Sequence, residues 1–249
     1  MKRGIVVSIL LIVLLAAAAV ANQPTVNLQS IVLEDFNDGE SRWIVRGGKF
    51  LAVDEENGRY EWPFRYQLVE GVWPEAMRRP DAETPAVLGV QASFTRRGYN
   101  YLEFIPVEDE DDEDGNPIPR PITIPGRPLA IDLWAWGSNY NYYLEAQVRD
   151  YRGIVHTLKL GDLGFAGWRN LSAEIPNYIP RAVRFVPARR QMDLVKIVLW
   201  TRPQESVAGF HFYLDQIKVL TDVFETPFDG ERLANPEFVR EVWGVEQRQ

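Results

Sequence analysis

Short segments in which apolar and polar residues alternate limit the fold of this chain more than any other feature. Residues 129–136 and 142–149 both place apolar side chains at every second position. A period of two puts alternate side chains on opposite faces of a β-strand, whereas a helix requires a period near 3.6. Because Gly137-Ser138-Asn139 between the two segments is rich in turn-forming residues, we expect the two strands to form a hairpin.

Further segments have the composition of β-strands, since they are rich in aromatic and β-branched residues and are separated by Pro and Gly. They cover residues 30–35, 49–53, 86–94, 99–105, 154–160, 168–173, 194–201 and 210–220. Helical periodicity is nearly missing between them. The sequence therefore predicts an all-β fold, in which two antiparallel sheets pack as a β-sandwich or jelly roll and a short helical tail follows.

The last of these segments contains an irregularity. Its apolar residues from Phe210 to Leu214 fall on one face, whereas Ile217 and Val219 fall on the opposite face. A β-bulge at Asp215-Gln216 would return both sets to the core, because a bulge adds one residue to one strand of a pair. We therefore predict a bulge at this point.

The first 21 residues have the pattern of a secretory signal peptide. Lys2 and Arg3 precede an apolar run over residues 4–20, which ends in the small-residue pattern Ala19-Val20-Ala21. These are the features that signal peptidase and the translocation machinery recognise. We predict a signal peptide at 1–21, a sandwich domain at 22–221 and a tail at 222–249. The alternative is an uncleaved anchor, since the run approaches the length of a membrane span.

Charge and cysteine content limit the partners of the secreted chain. Without residues 1–21 it keeps 25 of its 27 basic residues and all 35 acidic ones, a formal charge of −10. Such a chain should be soluble, should avoid nucleic acid and should not insert in a membrane after cleavage. Because it has no cysteine, no disulfide stabilises it and no thiolate can act as nucleophile or metal ligand.

Seven consecutive acidic residues at 108–114, followed by Gly115-Asn116-Pro117, interrupt the strand pattern. Like charges in a block repel one another and resist burial, so we predict a solvated loop. A calcium site is the alternative, because clustered oxygen ligands suit a hard cation. The spaced acidic pattern of a calcium loop is missing, and we therefore predict no bound metal and no other cofactor.

The tail contains a helix start. Asn235-Pro236-Glu237 has the order of an N-cap, a first-turn proline and an acidic residue, and we expect the helix to reach Gly244. Spacings of four give it an apolar face that includes Phe238, Val242 and Trp243. This face covers either the protein's own sandwich or a partner, and these three residues are the predicted partner-binding set.

The sequence offers little for catalysis. Its only histidines, His156 and His211, lie in different predicted strands, and no nucleophile-elbow, zinc-protease or phosphate-loop motif occurs. A pair of carboxylates acting as in a glycosidase stays open among so many acidic residues. We nevertheless predict that the protein is not an enzyme.

Two stretches resemble known proteins. Residues 31–36 and 210–220 resemble the first and last strands of jelly-roll carbohydrate-binding modules, whose chain ends pair in one sheet. Residues 210–233, together with the signal peptide, are similar to the spirochaete flagellar filament outer layer (sheath) protein family, FlaA. This resemblance implies a non-enzymatic periplasmic protein that coats the flagellin core of the periplasmic flagellum and supports motility. Its implied partners are flagellin and other sheath subunits.

A secreted carbohydrate-binding module is the alternative that the sequence leaves open. Trp134, Trp136, Tyr140 and Tyr142 would then stack on sugar rings, with Asp35 or Asp215 near a structural calcium ion. The same aromatic side chains would serve equally well as core residues or as a protein interface.

Overall fold

The computed structural model describes residues 26–37, 42–53, 62–77, 85–184, 189–224 and 229–244. The predicted signal peptide at 1–21 lies outside this part of the chain. The described residues form a sandwich of two antiparallel sheets with a short helix near the C-terminus. The predicted fold class is therefore confirmed.

Strands make up more than half of the described residues. The strands are β1 Leu28–Glu34, β2 Trp43–Gly47, β3 Arg65–Glu70, β4 Ala86–Ala92, β5 Tyr101–Asp111, β6 Pro117–Pro119, β7 Ile122–Ile124, β8 Arg127–Ser138, β9 Tyr143–Arg149, β10 Val155–Asp162, β11 Ala166–Glu174, β12 Val183–Arg184, β13 Arg189–Arg190, β14 Met192–Trp200 and β15 Phe210–Asp222. The helical elements are 3₁₀ turns at Glu75–Met77 and Glu231–Ala234 and helix α1 at Pro236–Val242.

Two sheets form the layers of the sandwich. Sheet A has the order β11-β8-β15-β4-β3, with β1 also paired to β15. Sheet B has the order β10-β9-β14-β5-β2, with β6 beside β5 and β7 beside β14. Alternate side chains of both sheets meet in one core, where Leu133, Leu144, Ile197 and Leu214 are completely buried. Burial of this kind is the main stabilising contribution in a chain without disulfides.

Strand β15 contains the predicted bulge, which is confirmed. Its pairing with β8 shifts register between Asp215 and Lys218, and Gln216 has a φ of 49°. The inward residues before the bulge, together with Ile217 and Val219 after it, are all buried. β15 also pairs with β1, so the first and last strands lie side by side as the resemblance implied.

The predicted hairpin of residues 129–136 and 142–149 is wrong. β8 lies in sheet A and β9 in sheet B, so the chain crosses the sandwich between them. At the crossing Asn139 has a φ of 64° and Tyr142 is buried, with its hydroxyl donating to the Ser206 carbonyl at 2.6 Å. Both strands bury one face in the same core, so their alternation is identical and does not reveal the sheet to which each belongs.

Two other expectations about strands need correction. Within residues 49–53 only Leu51 makes a bridge, to Phe94 just beyond the end of β4, so this segment is not a strand. The acidic run is not a loop throughout, since Glu108–Asp111 continues β5 and the turn follows at 112–116. Arg42 stabilises this extension: it donates to the Asp109 carbonyl at 3.1 Å and pairs with Asp111 at 2.8 Å.

Candidate interaction surfaces

A row of aromatic side chains crosses the outer face of sheet A. The register places Trp168 of β11 opposite Trp136 of β8, and Trp136 opposite Tyr213 of β15. The ring centroids of Trp136 and Tyr213 are 5.4 Å apart, and those of Trp168 and Tyr213 are 6.5 Å apart. All three side chains are half-buried. This aromatic row is the continuation, away from the core, of the alternation that buries the opposite face of each strand.

A small open cleft adjoins the aromatic row at Tyr213. It has a volume of about 160 Å³, and its outward-facing lining residues are Arg65, Gln67, Val69, Gly89, Gln91, His211 and Tyr213. Glycine is required at its floor, because a Cβ on Gly89 would lie 2.8 Å from Val69 Cγ2 and 3.0 Å from Tyr213 Cδ1. We call this feature the Gly89 cleft.

The Gly89 cleft combines one aromatic wall with polar groups that include the Arg65 guanidinium. The His211 ring packs edge-on against Trp62 at 4.4 Å, and Gln91 Nε2 donates to the Pro63 carbonyl at 3.1 Å. These contacts fix the two side chains at the cleft wall, and Gln67 lies on the neighbouring strand. An apolar surface with a few oriented donors and acceptors is typical of sites for small polar ligands.

The aromatic residues predicted as sugar-stacking or interface groups divide into two pairs. Trp134 and Trp136 lie on the outer face of sheet A and are half-buried. Tyr142 is only 1% exposed and stacks on Tyr140 with centroids 5.3 Å apart. The Tyr140 hydroxyl donates to the Gly209 carbonyl at 2.6 Å. Burial raises the pKa of Tyr142.

The interpretation of Tyr142 as an exposed stacking residue is therefore wrong, because its ring lies in the core and its hydroxyl donates a hydrogen bond to the Ser206 carbonyl. Tyr140 packs in the same aromatic cluster, because its ring contacts those of Tyr142 and Phe210. Sequence reasoning also missed Trp168 and Tyr213. Their outward positions in predicted strands could have revealed both, whereas the Gly89 cleft depends on a cross-strand register that no local pattern contains.

Helix α1 begins as the sequence predicts. Asn235 caps it by accepting hydrogen bonds from the Glu237 amide at 2.8 Å and the Phe238 amide at 3.4 Å. The helix packs on the preceding 3₁₀ turn, where the Arg232 guanidinium lies 4.3 Å from the centre of the Phe238 ring. Its regular part ends at Val242, two residues before the predicted Gly244.

The apolar face of α1 stays largely exposed. Val242 is 58% exposed and Trp243 is 78% exposed, while Phe238 is half-buried. No residue of α1 is buried, and the described part of the tail contributes nothing to the core cluster of the sandwich. The described residues therefore do not show the apolar face of α1 packing on the protein's own sandwich, which was one of the two predicted alternatives.

The two histidines lie far apart in the fold. His156 Nε2 is 2.9 Å from Asp150 Oδ2, and Asp150 Oδ1 accepts from the backbone amides of Arg152 and Ile154. Burial alone would raise the pKa of Asp150, but the hydrogen bonds from His156, Ile154 and Arg152 lower it. This arrangement secures the turn between β9 and β10. His211 lies in the Gly89 cleft instead.

The acidic residues considered as calcium ligands have other partners. Asp35 Oδ1 accepts from the Asn37 amide, and Asp215 Oδ1 from the Gln216 amide. In the acidic turn, Asp112 accepts from the amides of Asn116 and Asp114, which lowers its pKa. Across the described ranges, no three His, Asp or Glu residues are placed to hold a metal ion.

None of the helices in the described part of the chain has the length and apolar character needed to cross a bilayer.

The sequence profile of the family described as flagellar filament outer layer protein FlaA matches residues 68–229. The chain belongs to this family. A curated relative named as a flagellar filament outer layer-like protein, from Brachyspira hyodysenteriae, is 25% identical over 138 residues. The match covers 55% of this chain and 58% of that protein, so the chain spans little more than half of its relative.

Solved structures with a similar arrangement of strands include carbohydrate-binding modules. A family 11 module of a cellulosomal cellulase from Clostridium thermocellum has a TM-score of 0.37 and 13% identity, covering 81% of this chain and 99% of that one. A family 61 module in complex with β-1,4-galactotriose has a TM-score of 0.38 and 14% identity, covering 75% and 93%. Similarities this distant assign no ligand to the present chain.

Proposed function

We propose that this protein is an outer layer subunit of the periplasmic flagellar filament, where it coats the flagellin core, supports motility and has a structural role rather than a catalytic one. The observation that carries the proposal is membership of the FlaA family over residues 68–229. That range contains every strand of sheet A except β1 and the first half of β3. It contains every strand of sheet B except β2. The proposal therefore applies to the sandwich itself rather than to a peripheral segment.

The signal-like sequence at 1–21 supports export, and export is required of a subunit that coats a filament in the periplasm. The surfaces of the sandwich support a role in contact. The aromatic row exposes half-buried Trp and Tyr side chains, residue types that are enriched at protein interfaces. Flagellin and other copies of the subunit are the partners that this role requires.

The tail supplies a second contact in this proposal. A helix as short as Pro236–Val242 is not stable in isolation, so it gains stability when its apolar side docks on another surface. Phe238, Val242 and Trp243 form that side, and a large exposed aromatic residue at an interface commonly contributes much of the binding energy. We assign these residues to contact with a neighbouring subunit or with flagellin.

Immunogold labelling of the protein in intact cells, combined with proteomics of purified periplasmic flagella, tests the proposal. We expect label along the filaments and the protein in amounts comparable to flagellin. A periplasmic protein of similar abundance is the control for contamination. Label spread through the periplasm, with the protein lost on filament purification, would contradict a sheath role.

Saccharide binding is a second candidate function, and one observation favours it. The Gly89 cleft places Tyr213 beside Gln67, Gln91 and His211, and the aromatic row continues from it. Sugar rings carry apolar C–H faces and hydroxyl groups, which suit an aromatic wall with polar hydrogen-bonding neighbours.

Affinity electrophoresis in gels containing soluble polysaccharides tests this candidate. We expect retardation that is lost in Tyr213→Ala and kept in the control Tyr178→Ala, because Tyr178 is 80% exposed and lies outside the cleft. Equal mobility of wild type and Tyr213→Ala in every gel would remove saccharide binding by this face.

A further inference from the structure

Strand β1 is an edge strand with one unpaired side. Within the described residues it pairs only with β15, and the Asn27 carbonyl accepts from the Val223 amide on that side. Backbone groups alternate in direction along a strand, so Gln29 and Ile31 also face β15. The amides and carbonyls of Leu28, Ser30 and Val32 therefore face away from it.

Most of this edge lacks charge and proline, two of the features that protect sheet edges. The register irregularity between Val32 and Glu34, and the buried Glu34 itself, lie at its C-terminal end. Residues 26–33 contain no charged residue and no proline. Charged side chains occur on the other outer strands of the described sheets, namely Arg65 and Glu70 on β3, Arg46 on β2, Lys159 on β10 and Arg169 on β11. Charge and proline on an edge prevent pairing with another chain. Their absence leaves β1 open to such pairing.

Apolar side chains on the outer face accompany the open edge. Leu28 is 52% exposed and Val32 is 38% exposed. Leu220 of β15, which is directly opposite Ser30, is 39% exposed. Ile31 and Leu33 point the other way, into the core. An additional strand beside β1 would place its own side chains next to Leu28 and Val32 and also satisfy the open backbone groups.

We propose that β1 pairs antiparallel with β1 of a second copy of this protein, about a two-fold axis at Ser30. The choice of a second copy rests on the proposed sheath function, in which subunits lie side by side. The register is self-complementary, because Ser30 faces Ser30 of the other copy and Leu28 faces Val32 of the other copy. No like charges meet in this arrangement, since the one charged residue of β1, Glu34, lies opposite Val26 of the other copy.

Pairing of this kind joins two copies of sheet A into one continuous sheet. The contact is isologous and closes as a dimer. The aromatic row and the Gly89 cleft lie beside the first half of β15, whereas β1 pairs with its second half. The dimer therefore leaves both features open on each copy and presents them in pairs, which strengthens attachment to a repetitive filament.

Cross-linking through an introduced cysteine tests the register directly. The protein has no cysteine of its own, so Ser30→Cys provides a single thiol in each copy. Directly opposed, hydrogen-bonded residues of antiparallel strands have Cα atoms about 5.5 Å apart, within the range of a disulfide. We expect rapid formation of a disulfide-linked dimer under mild oxidation. The matched control is Ser172→Cys, which is also exposed but lies on β11. Equal cross-linking of the two variants would overturn the proposal.

Sedimentation of the purified wild-type protein provides the second measurement. We expect a dimer that Ser30→Lys converts to a monomer, because two lysines would meet at the axis. Ser172→Lys should stay dimeric, and both variants should keep the β-sheet circular dichroism spectrum of wild type, which shows that the Ser30→Lys monomer is folded. A monomeric wild type, or a dimer that Ser30→Lys leaves intact, would overturn β1 pairing. The proposed function fails separately, if the dimer forms but does not associate with filaments.

Discussion

Strand β15 and helix α1 lie close together in sequence and use their apolar residues in opposite ways. On the inward face of β15, Phe212 and Leu214 are at most 1% exposed, whereas Trp243 at the end of α1 is 78% exposed. Both segments are rich in aromatic and branched side chains. This difference shows that the apolar content of a segment does not by itself predict whether the segment lies in the core. Under the proposed function, stability comes from the sandwich and association from the tail.

The largest expected effect belongs to the core side of this comparison. Leu214→Ala should lower the free energy of unfolding by about 2 to 5 kcal/mol, because it removes a fully buried side chain and leaves a cavity. Urea denaturation measures the loss. Leu220→Ala on the same strand is the control, since Leu220 is 39% exposed and should change the stability by less than about 1 kcal/mol. Similar losses in both variants would contradict the assignment of faces on β15.

A second prediction about the core concerns Tyr142, an aromatic residue that was predicted at the surface but lies in the core. Tyr142→Phe should cost about 1 to 3 kcal/mol, since it removes the hydroxyl that donates to the Ser206 carbonyl and leaves that acceptor unpaired. Thermal unfolding is the measurement, and Tyr178→Phe at an 80% exposed position is the control. Unchanged stability would contradict a structural role for the hydrogen bond of the Tyr142 hydroxyl.

Acid should weaken the turn between β9 and β10 through Asp150. Its pKa is lowered in the folded protein, so its contribution to stability is complete above the unfolded pKa of about 3.9 and is lost as the pH falls through the lower folded value. Asp150→Asn should therefore be less stable than wild type at neutral pH, with the difference shrinking below about pH 4. Denaturation at a series of pH values measures this, and a difference independent of pH would contradict it.

The tail should show the smallest change in stability. Trp243→Ala should alter the free energy of unfolding by no more than about 0.5 kcal/mol, because the side chain is 78% exposed. We expect the same variant to co-sediment less with purified filaments if the tail is a contact. Glu237→Ala, on the same helix but outside its apolar face, is the matched control. Loss of stability and of association together would show that the helix completes its own domain.

The sequence predicted the features that depend on local patterns. The bulge at Asp215-Gln216 follows from a phase change in one strand, and the cap at Asn235 follows from the preferences of a helix start. The hairpin of residues 129–149 failed, because alternation shows that a strand has a buried face but not which sheet contains it. The surface position predicted for Tyr142 was wrong for a related reason, since a residue in the segment that crosses between the sheets can enter the core without belonging to any periodic pattern.

The candidate surfaces were only partly predictable. Trp136 could be placed on an outer face from its position in an alternating segment, and the structure places it there. The Gly89 cleft arises only when β3, β4 and β15 are aligned, and this alignment joins residues far apart in the chain. The open side of β1 likewise depends on which strands pair, and pairing is a property of the whole sheet.

The diameter of the periplasmic filament in cells that lack this protein tests the central claim most directly. Removing a subunit that coats the flagellin core should leave thinner filaments in electron cryotomograms, and restoring the wild-type gene should restore the diameter. Complementation with a variant that lacks residues 210–220, and therefore most of β15, is expected to leave the filaments thin. Filaments of unchanged diameter and composition without the protein would contradict its assignment to the outer layer.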